Sequence, residues 1–336
     1  MPEGTAAMTL HYFLVCKIPA FFFVSAAVCI FGLEILLLTC RLRRLSPPRF
    51  LTRRRILLLH LLTLIGLLCL LWGTFVEPYR LQTTFITIPT PKLHGTSIRI
   101  VQISDLHCDR KPRLEPRLPD AVNRLNPDVV VFTGDALNDI RALPLLYRTL
   151  SAIRATLGKF AVRGNVDNRL FPGVPLFENT GFVELSMDAL ILEKDGQSFG
   201  LCGIDHAEGR RSWEAVRQLR PDLFNILLFH NTDLVDYLEK TPVDLYLCGH
   251  THGGQIALPL WGALVTQSLH GKTYEAGLYR KDRFYIYVNR GLGMTGGWAP
   301  RIRFLAPPEI TVFDIVPQNA TPSLKTSEPI REEPAP

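Results

Sequence analysis

The stretch Leu247-Cys248-Gly249-His250-Thr251-His252-Gly253-Gly254-Gln255 sets two imidazoles one residue apart, between glycines, directly after the apolar run 243–248. In an extended chain the side chains at i and i+2 share a face. His250 and His252 therefore point into one cleft, and the flanking glycines let backbone approach closely. Neutral imidazole is the commonest metal ligand, but one His-x-His pair is weak by itself. Four further stretches strengthen it, each an apolar run that ends in a potential ligand. Residues 98–104 run into Asp105-Leu106-His107, and 129–133 into Gly134-Asp135. Residues 160–163 run into Gly164-Asn165-Val166-Asp167, and 226–229 into His230-Asn231. Open α/β folds build their sites in this way, at the carboxyl ends of neighbouring strands. The mixed imidazole and carboxylate donors suit Mn, Fe or Zn, and not Ca or a thiolate site.

Outward from this frame, charge separates the chain into two parts. Residues 1–76 carry eight basic residues, Lys17 and seven arginines between 41 and 55, against Glu3 and Glu34. The rest of the chain is balanced, with 29 basic and 29 acidic residues. The excess of positive charge thus belongs to the N-terminus, which points to a membrane surface and away from nucleic acid. Two apolar stretches, 18–40 and 56–76, frame the basic block. About 20 apolar residues cross a bilayer as helix, so the expectation for 1–76 is a helical hairpin anchor. Glu34 and His60 are candidates to satisfy each other within it. The positive-inside rule puts the arginine loop in the cytoplasm and hence the body outside.

Residues 77–97, with Pro78, Pro89 and Pro91, read as a linker with an edge strand at 85–88. From 98 to 316 strands alternate with helical spacing at 117–125 and 143–157, and short strands follow at 182–185, 189–192, 199–203, 284–288 and 310–313. Two packed sheets with helices outside, in one domain, fit this pattern. Residues 317–336, rich in Pro, Ser, Thr and Glu, read as a disordered tail. The seven cysteines show no disulfide framework or Cys-x-x-Cys spacing. The glycines of 291–297 lack the Lys-Ser/Thr of a P-loop, no Gly-x-Ser-x-Gly elbow is present, and His94, His206 and His270 read as loop histidines.

Asp-x-His, Gly-Asp, Gly-Asn-x-Asp, His and Gly-His-x-His, in this order and spacing, resemble the calcineurin-like metallophosphoesterases. The likeness covers roughly 77–315. Glu77-Pro78-Tyr79-Arg80, Leu258-Pro259 and Asn289-Arg290-Gly291-Leu292-Gly293 are similar to the membrane-anchored subgroup. The resemblance implies an α/β four-layer α-β-β-α sandwich. It also implies two divalent ions, with Mn2+ expected and Mg2+ or Zn2+ open. Asp105, His107 and His252 would hold the first and Asn165, His230 and His250 the second, with Asp135 bridging. Asp135, Asn165 and Arg290 are the expected catalytic residues. Paired divalent ions clamp phosphoryl oxygens and lower the pKa of water towards about 7.

One departure from the family pattern is informative. The family usually reads Gly-Asn-His-Asp, where the His assists the leaving group; here the position is Val166. General acid help contributes about 10²–10⁴-fold. Its loss costs little when the leaving group is a phosphate, whose second pKa is about 6, and much when it is an alkoxide. Arg163 or Arg169 is the alternative source of that help. With the anchor, this points to a lipid carrying a nucleoside diphosphate as the substrate class; the resemblance to the membrane-anchored subgroup implies UDP-2,3-diacylglucosamine, cleaved to UMP and 2,3-diacylglucosamine 1-phosphate at the bacterial inner membrane, on the cytoplasmic face where such lipids are made. That conflicts with the arginine loop unless the hairpin lies shallow on anionic head groups. The alternative is an envelope phosphodiesterase acting on phospholipid head groups or wall polymers. Expected partners are the lipid-linked nucleotide and the bilayer, with no nucleic acid and no protein partner inferred. Trp261, Trp298 and Phe304 are candidates for an apolar rim, and Arg290 and Arg303 for holding phosphate oxygens.

Overall fold

The computed structural model describes residues 13–208, 213–296, 301–319, 325–326 and 331–332. In chain order the main strands are β1 (Gln82–Thr90), β2 (Ile98–Ile103), β3 (Val129–Thr133), β4 (Gly158–Val162), β5 (Phe182–Glu184) and β6 (Met187–Lys194). They continue with β7 (Gln197–Ile204), β8 (Phe224–Leu228), β9 (Leu245–Cys248), β10 (Gly277–Lys281), β11 (Phe284–Val288) and β12 (Glu309–Pro317). Two mixed sheets result. The first runs β1-β12-β2-β3-β4-β5 and the second β10-β11-β9-β8-β7-β6. The short pairs Lys325–Thr326 and Arg331–Glu332 add to β1 and β10 at the outer edges. The strands β2, β3 and β4 are mutually parallel, as are β7, β8, β9 and β11.

Period-two alternation along these strands builds the layers. Ile100, Val129 and Val131 face Leu201, Ile226, Leu228 and Leu245 between the sheets. Their neighbours Val101, Ile103, Val130 and Phe132 face the other way, onto Leu118, Val122, Leu146 and Leu150. Those last four lie on helices Leu118–Asn123 and Leu143–Ser151, which are shorter than the sequence spacing suggests. The outer face of the second sheet, with Leu227, Tyr246 and Cys248, packs on Ala215, Val216, Val235 and Leu238. The four-layer α-β-β-α sandwich is therefore present, with every strand through the centre apolar on both faces.

The stretch expected as a linker is corrected. Pro78 sits inside a short helical turn, Glu77–Tyr79, where its missing N–H costs nothing, and β1 pairs in parallel with β12 over nine residues, from Gln82↔Glu309 to Thr90↔Pro317. Ile86 and Ile88 enter the inter-sheet core. The prolines mislead because Pro89 sits near the end of an outer strand, where a missing donor is tolerated. The strand β10 was not anticipated either, having only five residues with Gly at its start. Most of the expected tail lies outside the described residues.

Residues 18–42 and 53–75 form the two helices α1 (Ile18–Leu42) and α2 (Arg53–Phe75), both long and apolar enough to cross a membrane. They pack on each other, with Gly66 against Phe31, and His60 Nδ1 lies 2.7 Å from Glu34 Oε1, the pairing expected of them. Their outer faces expose Phe21, Leu57, Leu68 and Phe75, an apolar surface too large to leave in water. The end of α2 docks on the body. Gly73 O accepts from Arg303 N at 3.0 Å, and Trp72 Nε1 donates to Glu77 Oε2 at 2.6 Å.

Two truncations test where the body begins. Removing residues 1–76 leaves both sheets whole, so the remainder should show one cooperative unfolding transition by circular dichroism. Removing 1–90 deletes β1 and uncovers one long side of β12, and that protein should not fold. Cooperative unfolding of both proteins would return 77–97 to the status of a linker.

Candidate metal centre

Five strand ends converge. β2 leads into Asp105 and His107, β3 into Asp135, β4 into Asn165, β8 into His230, and β9 into His250 and His252. All are carboxyl ends of parallel strands, three from one sheet and two from the other. Asp105, His107 and His252 form one cluster of donor atoms, and Asp135, His230 and His250 a second. In the first, His107 Nε2 lies 3.2 Å from His252 Nε2, and His252 Nε2 lies 3.4 Å from Asp105 Oδ1. In the second, His230 Nε2 lies 3.2 Å from His250 Nδ1 and 3.0 Å from Asn165 Oδ1. Asp135 Oδ2 connects them, 3.6 Å from His107 Nε2 and 3.3 Å from His230 Nε2. The structure thus brings together all seven residues that the sequence singles out as ligands.

The outward nitrogens set the tautomers. His107 Nδ1 meets Asn138 Oδ1 at 3.0 Å, His230 Nδ1 donates to Thr133 O at 2.7 Å, and His250 Nε2 donates to Gln267 O at 3.1 Å. That leaves the inward nitrogens of these rings as lone-pair donors. Several lone pairs facing one another a little over 3 Å apart is an arrangement that a cation satisfies and a void does not. The donor set fits two divalent ions.

Backbone geometry carries the same message. Asp105, His107, Asp135, His250 and His252 all have left-handed φ, between 43° and 71°. Each such residue costs on the order of 1–3 kcal/mol and persists only where its surroundings over-determine it. Here Asp105 N donates to Gly134 O, His107 N to Asp135 O, Leu292 N to Ser104 O and Gly293 N to Asp105 O. Asp167, fully buried, accepts from the backbone of Asp135, Ala136 and Gly164 and so ties the third turn to the second.

Charges are crowded here. Burial pushes the Asp105 carboxyl up to about 6 and the His107 and His250 imidazoles down to about 4, with the charge of His230 lowering both further. Against the same burial, Asp135 and Asp105 hold His230 up at about 10. His230 and His107 keep Asp135 below the usual carboxylate range in spite of its burial.

Several expected roles move. The Arg290 guanidinium lies on Glu309, Nη2 to Oε1 at 3.0 Å, and not in the centre. Glu309 is fully buried and also accepts from Thr84 and Tyr287. Arg303 is fully buried and spends its guanidinium on the carbonyls of Gly293, Ala306 and Arg290. Its Nη2 passes 3.3 Å from His252 Nδ1. Both arginines brace the centre, and for the fully buried Arg303 this replaces the expected phosphate-holding role. Arg163 is tied to Glu184 at 2.6 Å. Val166 is buried with Phe171 and Leu176 in the helical layer, while its N donates to Asp135 Oδ1. Trp261 is 48% exposed with Lys272 over its ring, Phe304 is partly buried, and Trp298 lies outside the described residues.

His206, set aside as a loop histidine, stacks on Phe229 and stands edge-on to His230 with centroids 6.0 Å apart; Asn231 Nδ2 reaches its Nε2 at 3.2 Å. The available signal was its place just past β7, the same strand-end position that marks the ligands. Asn138, which orients His107, carried no signal at all.

The calcineurin-like phosphoesterase family matches residues 98–254. The metallophosphoesterase YkuE of Bacillus subtilis is 34% identical over 272 residues, spanning 74% of this chain and 90% of its own. The chain is a calcineurin-like metallophosphoesterase. This metallophosphoesterase is also 30% identical to the UDP-2,3-diacylglucosamine pyrophosphatase LpxG of Chlamydia muridarum, over 72% of this chain and 92% of LpxG. To the phosphodiesterase YaeI of Escherichia coli it is 28% identical, over 67% and 84%. Like its family, the metallophosphoesterase is a hydrolase that uses divalent metal.

Two measurements follow. His230 must lose its proton, and Asp105 must be ionised, before either binds a cation. Cation binding therefore releases protons, and affinity rises with pH through about 6, where Asp105 ionises, and on up to about 10, where His230 loses its proton. Titration calorimetry in buffers of different ionisation enthalpy should show that release; proton uptake would contradict the assignment. In Gly249→Ala the new Cβ runs into the Asp105 carboxylate and the Ser104 hydroxyl. Metal affinity or turnover should fall about 10–100-fold, the cost of disturbing a ligand's support, with the circular dichroism spectrum unchanged.

Proposed function

We propose that this metallophosphoesterase hydrolyses the pyrophosphate bond of a lipid-linked nucleotide, UDP-2,3-diacylglucosamine, to UMP and 2,3-diacylglucosamine 1-phosphate. Asp105, His107 and His252 hold one cation and Asn165, His230 and His250 the other, with Asp135 shared; Mn2+ is the expected ion. When bound, the two cations supply water activated near neutral pH and neutralise charge on the phosphoryl group. The protein's own part is orientation. Asp167 and the strained turns fix Asp135, Asn138 aims His107, and Thr133 O aims His230.

The observation that carries the substrate choice is Val166. The side chain at the leaving-group position of the family is apolar and buried in the core. A leaving group that departs without a proton suits it, and a phosphate does so. The apolar hairpin, bonded through Gly73 to Arg303, supports a lipid-borne substrate, and the LpxG similarity agrees. The protein would sit at the bacterial inner membrane with its body on the cytoplasmic face, where nucleotide-linked lipids are made. The basic loop between the helices and the YaeI similarity favour a second reading, an envelope phosphodiesterase.

Product analysis with purified protein, Mn2+, UDP-diacylglucosamine and an alkyl phosphodiester separates the two. The wild type should favour the phosphoanhydride, and Asp135→Asn should abolish both activities. Val166→His should raise alkyl diester turnover by up to about 10²-fold if the imidazole leaves the core for the cleft. It should leave the phosphoanhydride rate nearly unchanged. A wild type that prefers unactivated alkyl esters establishes the phosphodiesterase instead.

A further inference from the structure

Leu260 is the most exposed large apolar side chain among the described residues, and its φ of 65° lies in the left-handed region. Nothing within the chain repays either feature. An apolar side chain in water forgoes its burial, and a bulky residue with positive φ is rare. Pro259 and Leu260 form the tip of a β-hairpin whose two-residue strands are Ala257–Leu258 and Gly262–Ala263. Trp261, beside them, is half exposed. Lys272 Nζ stands 5.5 Å from the centroid of its ring and donates to Ala263 O at 2.7 Å, so the indole is held at the tip.

This tip is tied to the foot of the membrane hairpin through one short segment. Ala257 N donates to Phe304 O at 2.8 Å, and Phe304 N to Gln255 O at 2.9 Å. The preceding residue, Arg303, carries the bond to Gly73 of α2. A Cβ at Gly73 would stand 3.0 Å from Arg303 O, so helix and segment are in close contact. Leu305 is a second leucine with left-handed φ, 53°, and it too is exposed. Phe75 and Val76, at the end of α2, are exposed as well. Apolar exposure thus continues from α2 through Leu305 to Leu260 and Trp261. The other root of the tip is the metal centre. Gly254, two residues after His252, packs on Ala263 so closely that a Cβ there would lie 2.5 Å from the Ala263 Cβ.

We propose that this tip dips into the bilayer surface as a second membrane contact beside the hairpin. The proposal rests on the hairpin lying in the bilayer, and on no particular substrate. Lipid is the occupant because the exposed surface continues that of α2, whose apolar outer face needs hydrocarbon around it. Tryptophan is enriched at the membrane–water interface, and a leucine next to it reaches the boundary of the acyl layer. The hairpin alone leaves the body free to tilt about Gly73; a second contact fixes the tilt. Leu260 lies six residues beyond Gly254, at most about 20 Å of chain. The metal-ligand turn is then held within that distance of the head groups, the layer in which a lipid-borne phosphoester lies.

The test puts the photocrosslinker p-benzoylphenylalanine in place of single residues of the full chain, reconstituted in vesicles of phosphatidylethanolamine and phosphatidylglycerol. Leu68 on α2 reports the hairpin, Leu260 the tip, and Ile191, exposed on the edge strand β6, is the control. Irradiation should join lipid to the protein at positions 68 and 260 and not at 191. Leu260→Asp, with the probe at Trp261, should cut the lipid adduct about 10-fold, the partition lost with one apolar side chain. Its melting temperature should hold, because Asp tolerates left-handed φ. Lipid at 68 but not at 260 overturns the proposal and leaves the anchor standing. No lipid at either removes the anchor and the tip with it. A protein–protein adduct at 260 makes the tip a contact between copies, and lipid at 191 as well makes it unspecific adsorption; both overturn it. So does a melting temperature lowered by Leu260→Asp, which would mean that the leucine packs within the protein.

Discussion

Two carboxylates and four imidazoles share one buried space in this protein, and their mutual electrostatics constrain everything around them. Burial alone would neutralise Asp105 and strip protons from His107 and His250, while Asp135 and His230 stay charged against each other. Cations relieve that conflict, and the sheets exist in part to hold the donors in place until they bind. Fully buried strands give the rigidity. Left-handed turns at their ends give the direction, and the bonds between those turns offset the strain.

The second support of the centre comes from the end of the chain. The loop after β11 delivers Leu292 N and Gly293 N to the turn of Asp105, and Asn289 is fixed by Thr311 of β12. Glu309 anchors the same loop through Arg290. Arg303 fills the interior of this region, and its own backbone carries the bond to Gly73. The hairpin is therefore one residue removed from the packing of His252.

The ligand set was legible because strand-end ligands have a local signature, an apolar run that stops at a polar residue. All seven residues lie in the stretches so marked, and the resemblance to the family picked them out from neighbours such as Asp167 and Asn231. The fold followed from the same runs, since strands buried on both faces leave little doubt about layering. What escaped depends on contacts distant in sequence. The prolines of 77–97 read as punctuation because nothing local tells that Gln82–Thr90 has Glu309–Pro317 for a neighbour. Arg290 and Arg303 looked like phosphate holders because an arginine near glycines has the right composition for it. Only the tertiary structure shows Glu309 under one and four carbonyls around the other. His206 and Asn138 are defined by the rings they touch, which spacing does not encode.

The position of β12 between β1 and β2 has a consequence for how the protein is made. Those two strands are the first of the body to be synthesised, yet they do not pair with each other; the last long strand of the chain separates them. Until β12 has been translated, β1 has no long neighbour, one side of β2 stays open, and the loop that buttresses Asp105 has nothing to rest on. The hairpin, by contrast, precedes the body in the chain and pairs within itself, α1 on α2. Until then the first sheet has an unpaired gap, the kind of edge that invites wrong partners. Addition of β12 fills the gap between β1 and β2 and supports the loop that holds the turn of Asp105, so sheet and metal centre are completed by the same strand.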